Sequence, residues 1–129
     1  MIYVAVTPSY GHWACSWERA GTVHVFDSSG RVVDADLLTL DAATRRQLHE
    51  TSPCLMELLL KSSKPVDINT TPLQCMKQGV ETCGRWVTYR LLHQDLSDDA
   101  FVRLIESQRQ GSESDDAVIV RLTRGIFGE

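Results

Sequence analysis

Four residues in two short stretches hold the chemistry available to this chain. Gly11-His12-Trp13 leads to Phe26-Asp27-Ser28-Ser29-Gly30, and Gln74 leads to Thr82-Cys83-Gly84-Arg85-Trp86. About seventy positions separate His12 from Cys83. His12 offers a base that titrates near neutral pH, and Asp27 a carboxylate to orient it. Gln74 offers an amide donor, and Cys83 a thiol. A base, an orienting acid, an oxyanion donor and a nucleophile are the parts of a cysteine hydrolase.

Each part makes a demand on its surroundings. A thiol attacks carbonyls only as thiolate, so Cys83 needs a lowered pKa. Residues 82–93 carry Trp86, Val87, Tyr89, Leu91 and Leu92, which fits a buried helix with Thr82 as its N-cap. Cys83 then sits at the helix start, where free N–H groups and the dipole favour an anion. Gly84 leaves room for a substrate backbone beside the sulfur. His12 begins a strand over 12–18, and Asp27 ends another over 22–27, with Ala20-Gly21 as the hairpin turn between them. That hairpin makes the two strand ends neighbours, so the carboxylate can hold the imidazole tautomer. The Cys83 N–H and a glutamine amide would meet the oxyanion. Gln74 ends the extended run Pro72-Leu73-Gln74, and Gln78 is a rival in the same loop.

The other elements are plainer. Residues 2–6 read as a strand, and Thr7 to Gly11 as a turn-rich loop. Asp41 suits an N-cap for a helix through His49. Thr51-Ser52-Pro53 restarts a helix, with Pro53 in its first turn and leucines behind it. Residues 66–69 are extended. Ser97-Asp98-Asp99 caps a helix that carries Phe101, Val102, Leu104 and Ile105 on one face. After a polar linker, Asp115-Asp116 opens a segment whose periodicity fits helix or strand equally.

Composition narrows the function classes. The chain has 129 residues and 43% apolar content, enough for one domain over 1–129 with a real core. Its net charge of -4, with no Lys/Arg cluster, gives nucleic-acid binding no support. The longest dense apolar run, Cys54 to Leu60, is too short to span a bilayer, and the start carries no secretory leader. Four irregularly spaced cysteines fit reduced thiols in a cytoplasmic or nuclear setting. Cys15, Cys54 and Cys75 read as ordinary thiols. A zinc site from His12, Cys15, Cys75 and Cys83 lacks paired ligand spacing, so neither metal nor cofactor is expected. His24 lies an odd number of positions from Asp27 and should face away from it. His49 and His93 fall on helical segments and read as solvated. Trp17, Trp86 and Tyr89 read as core residues. Arg85 and Arg90 either guide an acidic tail or pair with aspartates.

In this order, His, Asp, Gln, Cys, the motifs resemble the adenovirus-endopeptidase and SUMO-protease group of cysteine proteases, and most of all its viral and transposon-encoded members. The resemblance covers roughly residues 9–105. It implies an α+β fold with a papain-like core in permuted order, a small mixed or antiparallel sheet packed on the Cys83 helix. It implies a thiol endopeptidase with His12 as base, Asp27 as acid, Cys83 as nucleophile and Gln74 in the oxyanion hole. Trp13 and Gly84 would contact substrate. Implied substrates are viral precursor proteins, or ubiquitin-like conjugates cut after Gly, in an infected cell's cytoplasm or nucleus or inside the virion. An activating peptide or partner chain is implied as well. The alternative is a catalytically silent module that holds an extended peptide in the same groove by strand addition.

Overall fold

Ala20 and Gly21 both take positive φ, 50° and 78°. Two successive left-handed residues form the turn whose twist suits a two-residue hairpin. In this computed structural model, residues 1–7, 10–35, 40–49, 54–77 and 79–128 are described, with side chains for all of these except 4–7 and 54. Gln78 and Pro53 lie outside the described residues.

The turn joins β2 (Tyr10–Arg19) to β3 (Thr22–Phe26). Their antiparallel register sets Arg19 against Thr22 and Cys15 against Phe26. β1 (Ile2–Thr7) pairs antiparallel with the other edge of β2, and its register shifts between Ala5 and Thr7. α1 (Ala42–Gln47) and α2 (Cys54–Lys61) then lead to β4 (Val66–Ile68), which runs parallel to β3. The result is a four-stranded mixed sheet in the order β1-β2-β3-β4. α3 (Cys83–Leu92), α4 (Asp98–Gln108) and α5 (Asp115–Phe127) complete an α+β fold. The segment after Asp115 is therefore helix.

Local chemistry explains most helix starts. Asp41, Ser97 and Ser114 each accept a hydrogen bond from the backbone N–H three residues on, and acidic residues fill the first turns of α4 and α5. α3 is the exception. Thr82 precedes it, as its pattern suggests, but caps nothing with its side chain and has a helical backbone, φ -100° and ψ -2°. Its hydroxyl donates instead to Asp116. The first-turn N–H groups of α3 are thus left without a side-chain cap.

The core lies where α3 packs on β2, with α4 and α5 behind. Cys15, Phe26, Leu73, Trp86, Val87, Phe101, Ile105, Val118 and Ile119 form one buried cluster. Along α3 the buried positions are Cys83, Trp86, Val87 and Arg90, one face at helical spacing. Leu92, assigned to that core on sequence, is exposed instead. Arg90 is buried and donates to the His93 and Leu96 carbonyls and to the Asp98 carboxylate, the last at 3.1 Å. Its guanidinium stands 4.6 Å from the Trp17 ring centre and 4.9 Å from that of Phe101. One paired and hydrogen-bonded cation therefore ties the hairpin to the α3–α4 corner. His93 caps the end of α3 and lies half-buried against Tyr89, not solvated. His49 follows α1 in a left-handed conformation and is exposed.

Gly30 (φ 67°) closes the turn after β3. A Cβ there would lie 2.6 Å from the Pro72 nitrogen and 2.7 Å from the Thr71 carbonyl carbon. Gly21 has open space around the equivalent atom. Gly21→Ala should cost only the left-handed penalty, about 1–2 kcal/mol. Gly30→Ala adds a clash with backbone that cannot rotate away, and should cost about 3 kcal/mol or more. Urea unfolding midpoints of the two variants check the ranking.

Candidate active site

Alternation along β2 buries His12 and turns Trp13 outward. Asp27 follows β3 on the neighbouring strand, and the His12 Nε2 lies 2.8 Å from its Oδ1. The acid is itself held in place. Oδ1 also accepts from the Ser29 N–H at 2.8 Å and the Ser29 hydroxyl at 2.6 Å. Asn69, buried just after β4, donates its side-chain amide to the Asp27 carbonyl at 2.8 Å. Burial alone would raise the Asp27 pKa, but the His12 and Ser29 donors hold it below the ordinary 3.8.

Cys83 is the first residue of α3 and is 8% exposed. Burial pushes its thiol up, but the His12 imidazole and the Trp13 and Gly84 N–H groups pull it below the ordinary 9.0. For His12, burial disfavours the cation, but the bond to Asp27 and the neighbouring sulfur win, and the pKa rises from 6.5 to about 10. The two shifts run in the directions that favour an imidazolium–thiolate pair. With Nε2 committed to Asp27, Nδ1 is the nitrogen left for sulfur. Nδ1 is buried and lacks an aligned hydrogen-bond partner, so thiol and ring interact at a geometry looser than a formed hydrogen bond.

The structure thus brings His12, Asp27, Cys83, Trp13 and Gly84 together. A cleft of about 420 Å³ opens over Cys83 and Gly84, walled by Tyr3, Tyr10, Trp13 and Arg85, with His12 and Asp27 behind its lining. The Tyr3 and Trp13 rings pack 4.8 Å apart. A Cβ at Gly84 would meet Trp13 Cδ1 at 3.6 Å, an ordinary contact. The space beside Gly84 would therefore take a Cβ without displacing the indole.

Gln74 sits differently. It is buried and does not line this cleft. Its Oε1 accepts from the Ser28 hydroxyl at 2.7 Å, and its Nε2 donates weakly to the Val80 carbonyl at 3.4 Å. Ser28 therefore fixes which end of the amide faces the loop before α3. His24 points away from the site, stacked on Trp17 and 3.3 Å from Asp67. Among the described residues, no three His, Cys, Asp or Glu side chains cluster as metal ligands, and no helix is long and apolar enough to cross a membrane.

Sequence reasoning missed several supporting residues. Ser28, Ser29 and Gly30 stood inside the Asp27 motif, so a signal was present. Asn69, Tyr3 and Tyr10 gave none.

Iodoacetamide reports on the pair. At about pH 7 an ordinary thiol is only a few per cent ionised, whereas Cys83 should alkylate readily. Cys15, whose thiol burial pushes up to about 12, should stay unmodified until the chain unfolds. The Cys83 thiolate is lost only as pH falls through its lowered pKa. His12→Ala leaves burial to raise that pKa, so the reactive limb should move to higher pH. Peptide mapping of the alkylated chain across pH reads both effects; identical profiles with and without His12 would refute the pair.

No family model matches this chain, and no solved structure matches it. Among curated proteins it is similar to Uncharacterized protein V9 of Sputnik virophage, with 30% identity over 99 residues. The match takes in 76% of this chain and 57% of that protein, so the chain spans little more than half the length of its virophage relative.

Proposed function

We propose that this chain is a cysteine endopeptidase with a papain-like core in permuted order. The observation that carries the proposal is the buried His12–Asp27 hydrogen bond beside a thiol at a helix start, with the Cys83 pKa drawn down and the His12 pKa drawn up. A structural cysteine buried among apolar side chains shifts the other way, as Cys15 does.

The reaction follows from these groups. The Cys83 thiolate adds to the scissile carbonyl carbon, and the C=O π pair moves to oxygen. The Cys83 N–H meets that oxyanion, and the Gln74 amide joins it by exchanging its weak 3.4 Å bond to the Val80 carbonyl. The tetrahedral species collapses, the C–N bond breaks, and the His12 imidazolium gives its proton to the departing amine. His12, now neutral, takes a proton from water as the water attacks the thioester. The acid product leaves, and the ion pair is restored.

The preferred substrates are viral precursor proteins cut at small residues such as Gly, with Trp13 and Gly84 contacting the chain near the scissile bond. The similarity to an uncharacterized virophage protein fits a viral setting for such substrates. It also supports a place of action in an infected cell or the virion.

Wild type and Cys83→Ala, incubated with viral precursors and with ubiquitin or SUMO fusions, test the proposal by mass spectrometry of the products. Wild type should cleave one class, and the variant neither. Asp27→Asn should lower kcat about 10²–10⁴-fold, the usual range for lost acid–base support. As pH rises through about 10, His12 loses the proton owed to the leaving amine, so kcat/KM should fall there. Cleavage that survives loss of Cys83, or none by wild type with or without an added activating peptide, would sink the enzyme reading.

A further inference from the structure

Asp116 lies on α5, outside the catalytic motifs, and is 9% exposed. Its carboxylate takes three hydrogen bonds. Oδ2 accepts from the Cys75 backbone N–H at 2.7 Å. Oδ1 accepts from the Trp86 indole N–H at 3.0 Å and from the Thr82 hydroxyl. Cys75 directly follows Gln74, and Thr82 directly precedes Cys83. One carboxylate therefore grips both segments from which the oxyanion donors come.

We propose that Asp116 is a positioning residue for the oxyanion hole, and this rests on the protease reading above. Two features carry it beyond general support. The first is the partner set. A backbone N–H and an indole N–H only donate, and they approach different oxygens. An acceptor-only group satisfies both, whereas an asparagine must turn an NH₂ toward one of them. The second is what Asp116 removes. Engaged here, the Thr82 hydroxyl does not cap α3, so it does not compete with an anion at the helix start. The carboxylate thus sets the spacing between the glutamine loop and the helix start, and keeps that start available to an anion.

The two chemistries of Cys83 separate this role from a merely structural one. Alkylation by iodoacetamide needs the thiolate but develops no carbonyl oxyanion. Hydrolysis, and capture of a peptide aldehyde, do develop one: the sulfur adds to the carbon and the π pair moves to oxygen, which then re-forms C=O as the amine leaves or, in the aldehyde adduct, takes the His12 proton to give a hemithioacetal. Asp116→Asn should lower kcat about tenfold or more with KM nearly unchanged. It should weaken aldehyde binding to a similar degree and leave the alkylation rate within about twofold, since His12 and Asp27 are untouched. Thr82→Val removes one of the three bonds at constant shape and should show the same split more weakly, which keeps the test open if Asp116→Asn folds poorly. A parallel fall in alkylation, hydrolysis and aldehyde capture in both variants would reduce Asp116 to a fold support and overturn the proposal, as would no fall at all. A wild-type chain that captures aldehyde but cleaves nothing would defeat the protease reading alone. A wild type that does neither would defeat both.

Discussion

A cation held inside a protein needs a counter-charge, and the His12–Asp27 contact supplies one. Burial works against a charged imidazole, yet the ring keeps its proton because a fixed carboxylate touches Nε2 and a sulfur lies beyond Nδ1. Much of the surrounding architecture serves that carboxylate. Ser29 donates to it twice, Asn69 anchors its backbone, and Gly30 lets the turn close on Thr71 and Pro72. The sheet is mixed for a related reason. β4 must run parallel to β3 to bring Asn69 alongside Val25 and Asp27, and α1 and α2 make the crossover.

The second half of the site comes from the helices. α3 carries its buried face against the hairpin and presents Cys83 at its first position, while Arg90 locks its far end among three aromatic rings. Thiol and imidazole therefore ride on separate rigid elements. Their approach depends on the packing of Trp86 and Val87 against Cys15 and Phe26, not on a local turn.

Legibility from sequence followed the range of the interactions. The β2–β3 hairpin was readable because its register depends on two adjacent turn residues and on alternation. The starts of α1 and α4 were readable because a cap acts across three positions, whereas the Ser114 cap of α5 passed as part of a polar linker. The placement of His12 beside Asp27 followed from that hairpin alone. What stayed hidden was set at a distance. The Thr82 hydroxyl looks like a cap until a carboxylate 34 positions later takes it. Leu92 fits an apolar pattern, yet the true core face of α3 ends on a buried arginine, a residue type that periodicity assigns to solvent. The Asp115–Val120 segment was ambiguous because a short apolar run suits either period. Gln74 stood out in the sequence as an amide ahead of Cys83, but its orientation depends on Ser28, a contact that only folding creates.

The aromatic wall around the cleft over Cys83 bears on what could reach the sulfur. Under the protease reading proposed above, a thiol so recessed, under a rim of aromatic rings, would admit a slender extended segment and turn away anything already folded into a helix or packed surface. Selection would then act first on conformation and only afterwards on residue identity. On that reading assembled neighbours would escape, linkers and frayed tails would not, and the timing of a cut would pass to whatever process exposes them.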